Sequence, residues 1–317
     1  MPNILIAGEL HPSGLEIIKQ NPKYSIDYLK EVSNENFLPY LQNADALIIR
    51  TQILKKNHIE KAKKLKIVSR HGVGYDNVDY QELKKRNIPL TIVGDVNSTS
   101  VSEHTMMLII SVFKKIILAD FSTRNSLWNY RNNYEPRELY GKNLLIIGFG
   151  RIGKKLGKLA KAFGMNIHVY DPYIENKFDE YEIRYFKNLT TALCNADCIS
   201  LNLPKVDKPI ITKENSQYLK HGVVIINTAR GELIEEKVLQ DGIQKGVISG
   251  VGLDVFDSEP VEKNHFLFKY KQVIFTPHQA GLSQEAAERM SIKSINNILD
   301  YYDGSLDSSL IVNGVKI

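Results

Sequence analysis

Short apolar runs separated by polar, helix-periodic stretches set the rhythm of this chain. Residues 4–7, 46–49, 66–69 and 89–93 are short and mostly apolar, as expected of strands buried on both faces. Between them, 15–19, 59–64 and 80–86 place apolar residues at helical spacing. Strands and helices alternating over short loops predict a parallel sheet with helices on both faces. Residues 98–113 open with capping-type residues and continue as a long apolar helix. A second alternating series runs through 143–147, 166–170, 198–203, 223–227, 247–255 and 272–276, and an amphipathic stretch, 284–301, closes the pattern. The expected fold is α/β, with two Rossmann-like doubly wound parallel-sheet domains and a cleft between them. The first series lacks a closing helix of its own, so the last helix is expected to cross back to it. That gives a discontinuous domain, 1–98 with 285–317, and a second domain, 99–284.

The segment 125–140 breaks the alternation. It is polar and aromatic (Trp128, Tyr130, Tyr134, Tyr140) and has no period. It is too long for a structureless loop in a compact domain. It is expected to pack, either on a partner subunit or on its own chain.

Composition excludes more than it assigns. A net charge of +5 arises from 41 basic and 36 acidic residues scattered along the chain. Lysine clusters such as Lys55-Lys56 sit at helical spacing and read as solvated faces, which argues against nucleic acid as a partner. The two cysteines, Cys194 and Cys198, are too few for a disulfide framework or a closed zinc site, and no metal is expected. Both are expected to be buried apolar fillers. The N-terminus lacks the basic region of a signal peptide. Apolar runs such as 106–110 fall far short of the ~18 residues that suggest a membrane span. A reduced cytoplasm is the expected location.

Candidate chemistry begins at Gly148-Phe149-Gly150-Arg151-Ile152-Gly153, which follows an apolar strand and opens a helix. In that context Gly148 permits a tight turn, Gly150 lets backbone approach a pyrophosphate, and Gly153 lets helix pack on strand. The helix N-terminus offers unpaired amides to phosphates. Asp171 ends the next strand, about twenty residues on, where a carboxylate accepts from ribose hydroxyls and repels a 2′-phosphate. NAD is favoured over NADP, with Arg151 and Arg184 weighing against strictness. A mere turn cluster of glycines is the plainer reading, and the strand–helix context argues against it.

Arg230, Glu259 and His278 follow three successive strand-like runs of the same series. Strand carboxyl ends line the crevice in a doubly wound sheet. Reducing a 2-oxo acid needs its carboxylate fixed, its carbonyl polarised and a proton delivered. A guanidinium suits the first two tasks and an imidazole the third, with a glutamate to orient the ring. Singly, each has a dull alternative: a turn histidine, a carbonyl-capping arginine, an exposed glutamate. Their joint placement outweighs those alternatives.

Asn227-Thr228-Ala229-Arg230-Gly231, the block from Asp254 to Pro260, and Thr276-Pro277-His278-Gln279-Ala280-Gly281 resemble signature blocks of the D-isomer-specific 2-hydroxyacid dehydrogenases. So do the glycine fingerprint and the block from Arg70 to Asp79, and the resemblance spans essentially the whole chain. It implies that His278 is the acid/base, Glu259 its partner and Arg230 the substrate anchor. It implies that backbone amides of Val73 and Gly74 hold the substrate carboxylate. It places Arg151, Ile152, Asp171, Leu203, Pro204, Thr228, Asp254 and Thr105 around NAD. It also implies hinges near 97–101 and 281–284, and a homodimer built through the cofactor domain and an arm from Trp128 to Leu139.

Arg50 and Arg70 stand where the phosphoglycerate dehydrogenase branch keeps basic residues near a distal anionic group, so the substrate is expected to be a small 2-hydroxy or 2-oxo acid, doubly anionic if those arginines bind it. Solvated surface arginines are the alternative. His71 and His104 occupy positions often held by smaller or apolar residues, and each either lines the pocket or packs near a hinge. A short form without a regulatory domain is expected. Lys205 to Pro209 departs from the family's threonine-rich pattern. Competing readings are a hydroxypyruvate, glyoxylate or D-lactate type reductase, a relative acting on phosphite or formate, and a non-catalytic NAD(H)-sensing scaffold.

Overall fold

Parallel strands in two separate sheets organise the chain, and the loops leaving their carboxyl ends hold the candidate residues. The computed structural model describes residues 1–174 and 182–317. The chain divides into two units, Met1–Asn97 with Leu282–Ile317, and Ser98–Gly281.

The first unit contains β1 (Asn3–Ala7), β2 (Ser25–Leu29), β3 (Ala46–Ile49), β4 (Ile67–Arg70) and β5 (Leu90–Thr91). They form one parallel sheet in the order β2-β1-β3-β4-β5. The winding direction reverses between β1 and β3, where the outgoing loops splay apart. Ile4, Leu5, Ile6, Leu47, Ile48 and Ile49 are fully buried, as helices on both faces require. The helix Gln284–Asp303 covers one face, its Ile295 and Ile298 joining Ile4, Ile6, Ile48 and Ile67 in a common core. Ser283 caps its first turn and left-handed Gly304 ends it.

Two strands of this sheet depart from the sequence pattern. β2 was not foreseen, because its five residues are all half-buried edge positions without a continuous apolar signal. β5 is shorter than the 89–93 run, since Ile92 N donates to Leu310 O and Val312 N to Leu90 O. The C-terminal segment thus pairs along that edge.

The second unit contains β6 (Asn143–Ile147), β7 (Asn166–Tyr170), β8 (Arg184–Tyr185), β9 (Cys198–Leu201), β10 (Val223–Asn227), β11 (Ile248–Leu253) and β12 (Val273–Phe275). Their order is β12-β11-β10-β9-β6-β7-β8, all parallel, with the reversal between β6 and β9. This is the doubly wound dinucleotide-binding order with one strand added at the β12 edge. β10 is buried at every position, which is why it reads as an unbroken apolar run.

Cys198 is buried but Cys194 is exposed, so only one cysteine is a filler. Cys194 ends the short helix Leu189–Cys194 and lies on its solvent side, while Ala192 and Leu193 pack inward. Within the 125–140 segment, Trp128–Asn133 forms a 3₁₀ turn. Trp128, Tyr134 and Tyr140 are 64%, 87% and 80% exposed, so their own chain does not cover them. No described helix is long and apolar enough to cross a membrane.

Candidate functional site

At the carboxyl end of β6, Gly148 turns the chain with φ +88°, a conformation that favours glycine. A Cβ there would lie 2.7 Å from Asn202 O and from Leu203 Cδ2. A Cβ on Gly153 would stand 2.3 Å from Gly148 O, whereas one on Gly150 would meet nothing within 4 Å. The turn is therefore closed against the sheet and open at Gly150, which caps the helix Arg151–Ala162. Asp171 accepts from Phe149 N (2.8 Å, Oδ2) and Tyr173 N (2.9 Å, Oδ1). Each oxygen keeps a further lone pair for ribose hydroxyls. Open backbone at Gly150, a helix N-terminus and a strand-end carboxylate fit a dinucleotide.

Thr228, after β10, meets Thr105 of the helix Ser98–Lys114, Oγ1 to Oγ1 at 2.8 Å. Leu203 and Pro204 follow β9, and Leu203 packs on the Gly148 turn. In the non-threonine stretch beyond them, Lys205 pairs with Glu232 at 2.6 Å.

His278 and Glu259 are brought together: Nδ1 lies 2.6 Å from Oε2. The other carboxylate oxygen accepts from Phe256 N at 3.0 Å. Burial pushes the Glu259 carboxyl up. The His278 bond, the Phe256 amide and the Arg230 charge outweigh it and hold the group below its ordinary range. His278 itself has φ +49°, rare for a residue with a Cβ and costly enough to need support from its surroundings.

That support comes from Asp254, at the end of β11. Its fully buried carboxylate accepts from Thr276 Oγ1 (2.5 Å), Gln279 N (2.9 Å) and Ala280 N (2.9 Å). The loop is thus gripped on both sides of His278. Arg230 follows a turn held by Asn227, whose side chain donates to Arg230 O (2.7 Å) and accepts from Ala229 N (3.1 Å). Gly231 presses against the Phe256 loop, where an added Cβ would stand 2.1 Å from Phe256 C. Asn227, Gly231 and Thr276 escaped the sequence reading as supports. For Asn227 and Thr276 the available signal was a polar residue ending an apolar run.

In the other unit, Arg50 and His71 lie at matching positions just beyond the paired residues of β3 and β4. Arg50 Nη1 donates to Glu9 O at 3.1 Å, and Arg70 Nη1 donates to His71 O. Burial, then the Arg50 and Arg70 charges, depress the His71 pKa to about 3. His71 is therefore neutral in the physiological range and adds no positive charge. Its Nε2 is buried without a hydrogen-bond partner. Among the described residues, no acceptor meets the amides of Val73 and Gly74, so two donors remain available beside the arginines.

Residues 106–280 match the family described as D-isomer specific 2-hydroxyacid dehydrogenase, NAD binding domain. The chain is 34% identical over 98% of its length to a D-3-phosphoglycerate dehydrogenase of Methanocaldococcus jannaschii, but spans only 59% of that relative. It is 31% identical to a glyoxylate reductase of Thermococcus litoralis, covering 98% of this chain and 96% of the relative. A crystal structure of a Pyrococcus horikoshii protein superposes with a TM-score of 0.81 at 30% identity, over 99% of this chain and 96% of that one.

Proposed function

This chain belongs to the D-isomer-specific 2-hydroxyacid dehydrogenases, and from that premise we propose that it interconverts a D-2-hydroxy acid and its 2-oxo acid with NAD(H). The observation that carries the proposal is the 2.6 Å contact of His278 with Glu259, supported by the Arg230 charge acting on the same carboxylate. Held at the Gly148–Gly153 turn and by Asp171, a dinucleotide would supply hydride to C2 in reduction and take it in oxidation. Because Nδ1 of His278 faces Glu259, Nε2 is the atom that passes a proton to the carbonyl oxygen or takes it from the hydroxyl. Glu259 orients the ring and stabilises its charged form. Arg230 grips the substrate carboxylate and polarises the carbonyl. Thr105, Ile152, Thr228 and Asp254 belong to the surroundings of the dinucleotide.

Arg50 and Arg70, with the amides of Val73 and Gly74, favour a substrate carrying two anionic groups, of the 3-phosphoglycerate kind. The near full-length match to a glyoxylate reductase supports a second reading, reduction of glyoxylate or hydroxypyruvate. NADH oxidation with glyoxylate, hydroxypyruvate, pyruvate, 2-oxoglutarate and phosphohydroxypyruvate separates them. Superior kcat/KM on phosphohydroxypyruvate supports the first, and preference for glyoxylate supports the second. No turnover despite NADH binding would remove both and leave a sensing scaffold. The exposed Trp128 and Tyr134 support a homodimer through the 128–139 arm, testable by sedimentation of the wild type against Trp128→Ala.

A further inference from the structure

We propose that His104 is a positioning residue for His278, acting through Thr276. This rests on the reading of His278 as the acid/base. His104 lies on the helix Ser98–Lys114, with Nε2 3.0 Å from Thr276 Oγ1 and 3.6 Å from Asp254 Oδ1. The Thr276 hydroxyl gives its single proton to Asp254, so toward His104 it can only accept. His104 must therefore carry its proton on Nε2. A directed chain results, from His104 to Thr276 to Asp254, ending on the carboxylate that also takes the amides of Gln279 and Ala280.

The same helix makes two further ties at matching spacing. Ser100 Oγ donates to Ala280 O at 2.7 Å, and Thr105 meets Thr228 at 2.8 Å. Residues 100 and 104 share one helix face. From that face the helix fastens the loop carrying His278 before and after it, and Thr105 fastens the turn leading to Arg230. Close approach makes this possible: a Cβ on Gly250 of β11 would stand 2.4 Å from Val112 Cγ1, and one on Gly252 would stand 3.2 Å from Leu108 Cβ. Burial lowers the proton affinity of His104, with Asp254 opposing. This favours the neutral ring, on which the Thr276 contact fixes the proton at Nε2.

His278 needs such bracing because its backbone is left-handed, and a displacement of about 1 Å at a reacting group costs on the order of a hundredfold in rate. Glutamine can place an Nε2–H near that of histidine, whereas alanine cannot.

The test uses kcat and KM for the best 2-oxo acid of the panel, NADH titration by fluorescence, and hydrogen exchange at the 276–281 loop. The proteins are wild type, His104→Ala, His104→Gln, Thr276→Val and the His104→Ala/Thr276→Val double variant. His104→Ala should lower kcat by at least about tenfold with NADH affinity within about twofold, as expected when geometry rather than binding is lost. His104→Gln should recover most of the rate. The double variant should be no slower than Thr276→Val alone, since both act along one chain. Unchanged kcat in His104→Ala, no recovery in His104→Gln, or additive losses in the double variant would each overturn the proposal.

Hydrogen exchange separates this proposal from the functional reading. If wild type turns over no 2-oxo acid, the functional reading fails. Faster exchange at Gln279 and Ala280 in His104→Ala, restored in His104→Gln, would still support the brace. Unchanged exchange would overturn it.

Discussion

His278 Nδ1 and Glu259 Oε2 stand 2.6 Å apart although nineteen residues separate them in the chain. The contact occupies one ring nitrogen, so the proposed proton transfer falls to the other. His278→Ala should therefore lower kcat by about 10²- to 10⁴-fold with little change in NADH binding. Steady-state kinetics beside fluorescence titration checks this, and wild-type turnover would refute the assigned role. Glu259→Gln should keep an oxygen for Phe256 N but lose the charge that supports imidazolium, giving a smaller loss of kcat.

Gly231 is held by space rather than by rotation freedom. With Phe256 C 2.1 Å from where a Cβ would sit, Gly231→Ala must push two backbone segments apart. The expected cost is about 3 kcal/mol of stability, read as a lowered urea midpoint. Activity should fall as well, because the same contact sets Arg230 beside the loop of Glu259.

Arg50→Ala and Arg70→Ala should each raise KM for phosphohydroxypyruvate by about tenfold or more, the equivalent of about 1.4 kcal/mol. KM for glyoxylate should change little, since that substrate has only one anionic group. Equal losses on both substrates would show that the arginines support the fold of the loops instead.

Asp171→Asn removes a charge while leaving one oxygen to accept from an amide. The preference for NADH over NADPH should narrow by about tenfold, measured as the ratio of kcat/KM for the two cofactors. An unchanged ratio would place discrimination elsewhere.

His71 predicts an acid-sensitive fold. Its folded pKa of about 3 lies below the ordinary ~6.5 of histidine, so the unfolded chain binds its proton first. Stability should be unaffected by this group above pH ~6.5 and should fall as pH drops toward 3, by at most about 1.4 kcal/mol per pH unit. The depressed carboxyl of Glu259 acts in the same direction, its contribution fading as pH falls through its folded pKa. Urea midpoints of wild type and His71→Gln between pH 7.5 and 4.5 should diverge from each other in slope, with the variant flatter.

Much of the architecture was legible because buried parallel strands leave a plain signature. Val223 to Ile226 are apolar throughout since both faces of β10 are covered. The glycine fingerprint was readable because a tight turn and close helix packing each demand a missing side chain. β2 was illegible, because a half-buried edge strand carries no such run. Cys194 was misread because one exposed residue next to two buried ones in a short helix looks apolar in sequence.

Sequence alone determined which reactive side chains the chain carries and near which strand ends they fall. It holds an imidazole, a carboxylate and a guanidinium, each in a loop that follows a strand, together with glycines where backbone must approach a phosphate. Local patterns encode those facts, so they survive without coordinates. Tertiary structure decided how that chemistry is held: Asp254 gripping the loop on both sides of His278, Gly231 wedged against Phe256, and His104 reaching Thr276 from a helix 172 residues away. Such contacts join distant positions through directional hydrogen bonds and close packing, and no periodicity along the chain records them.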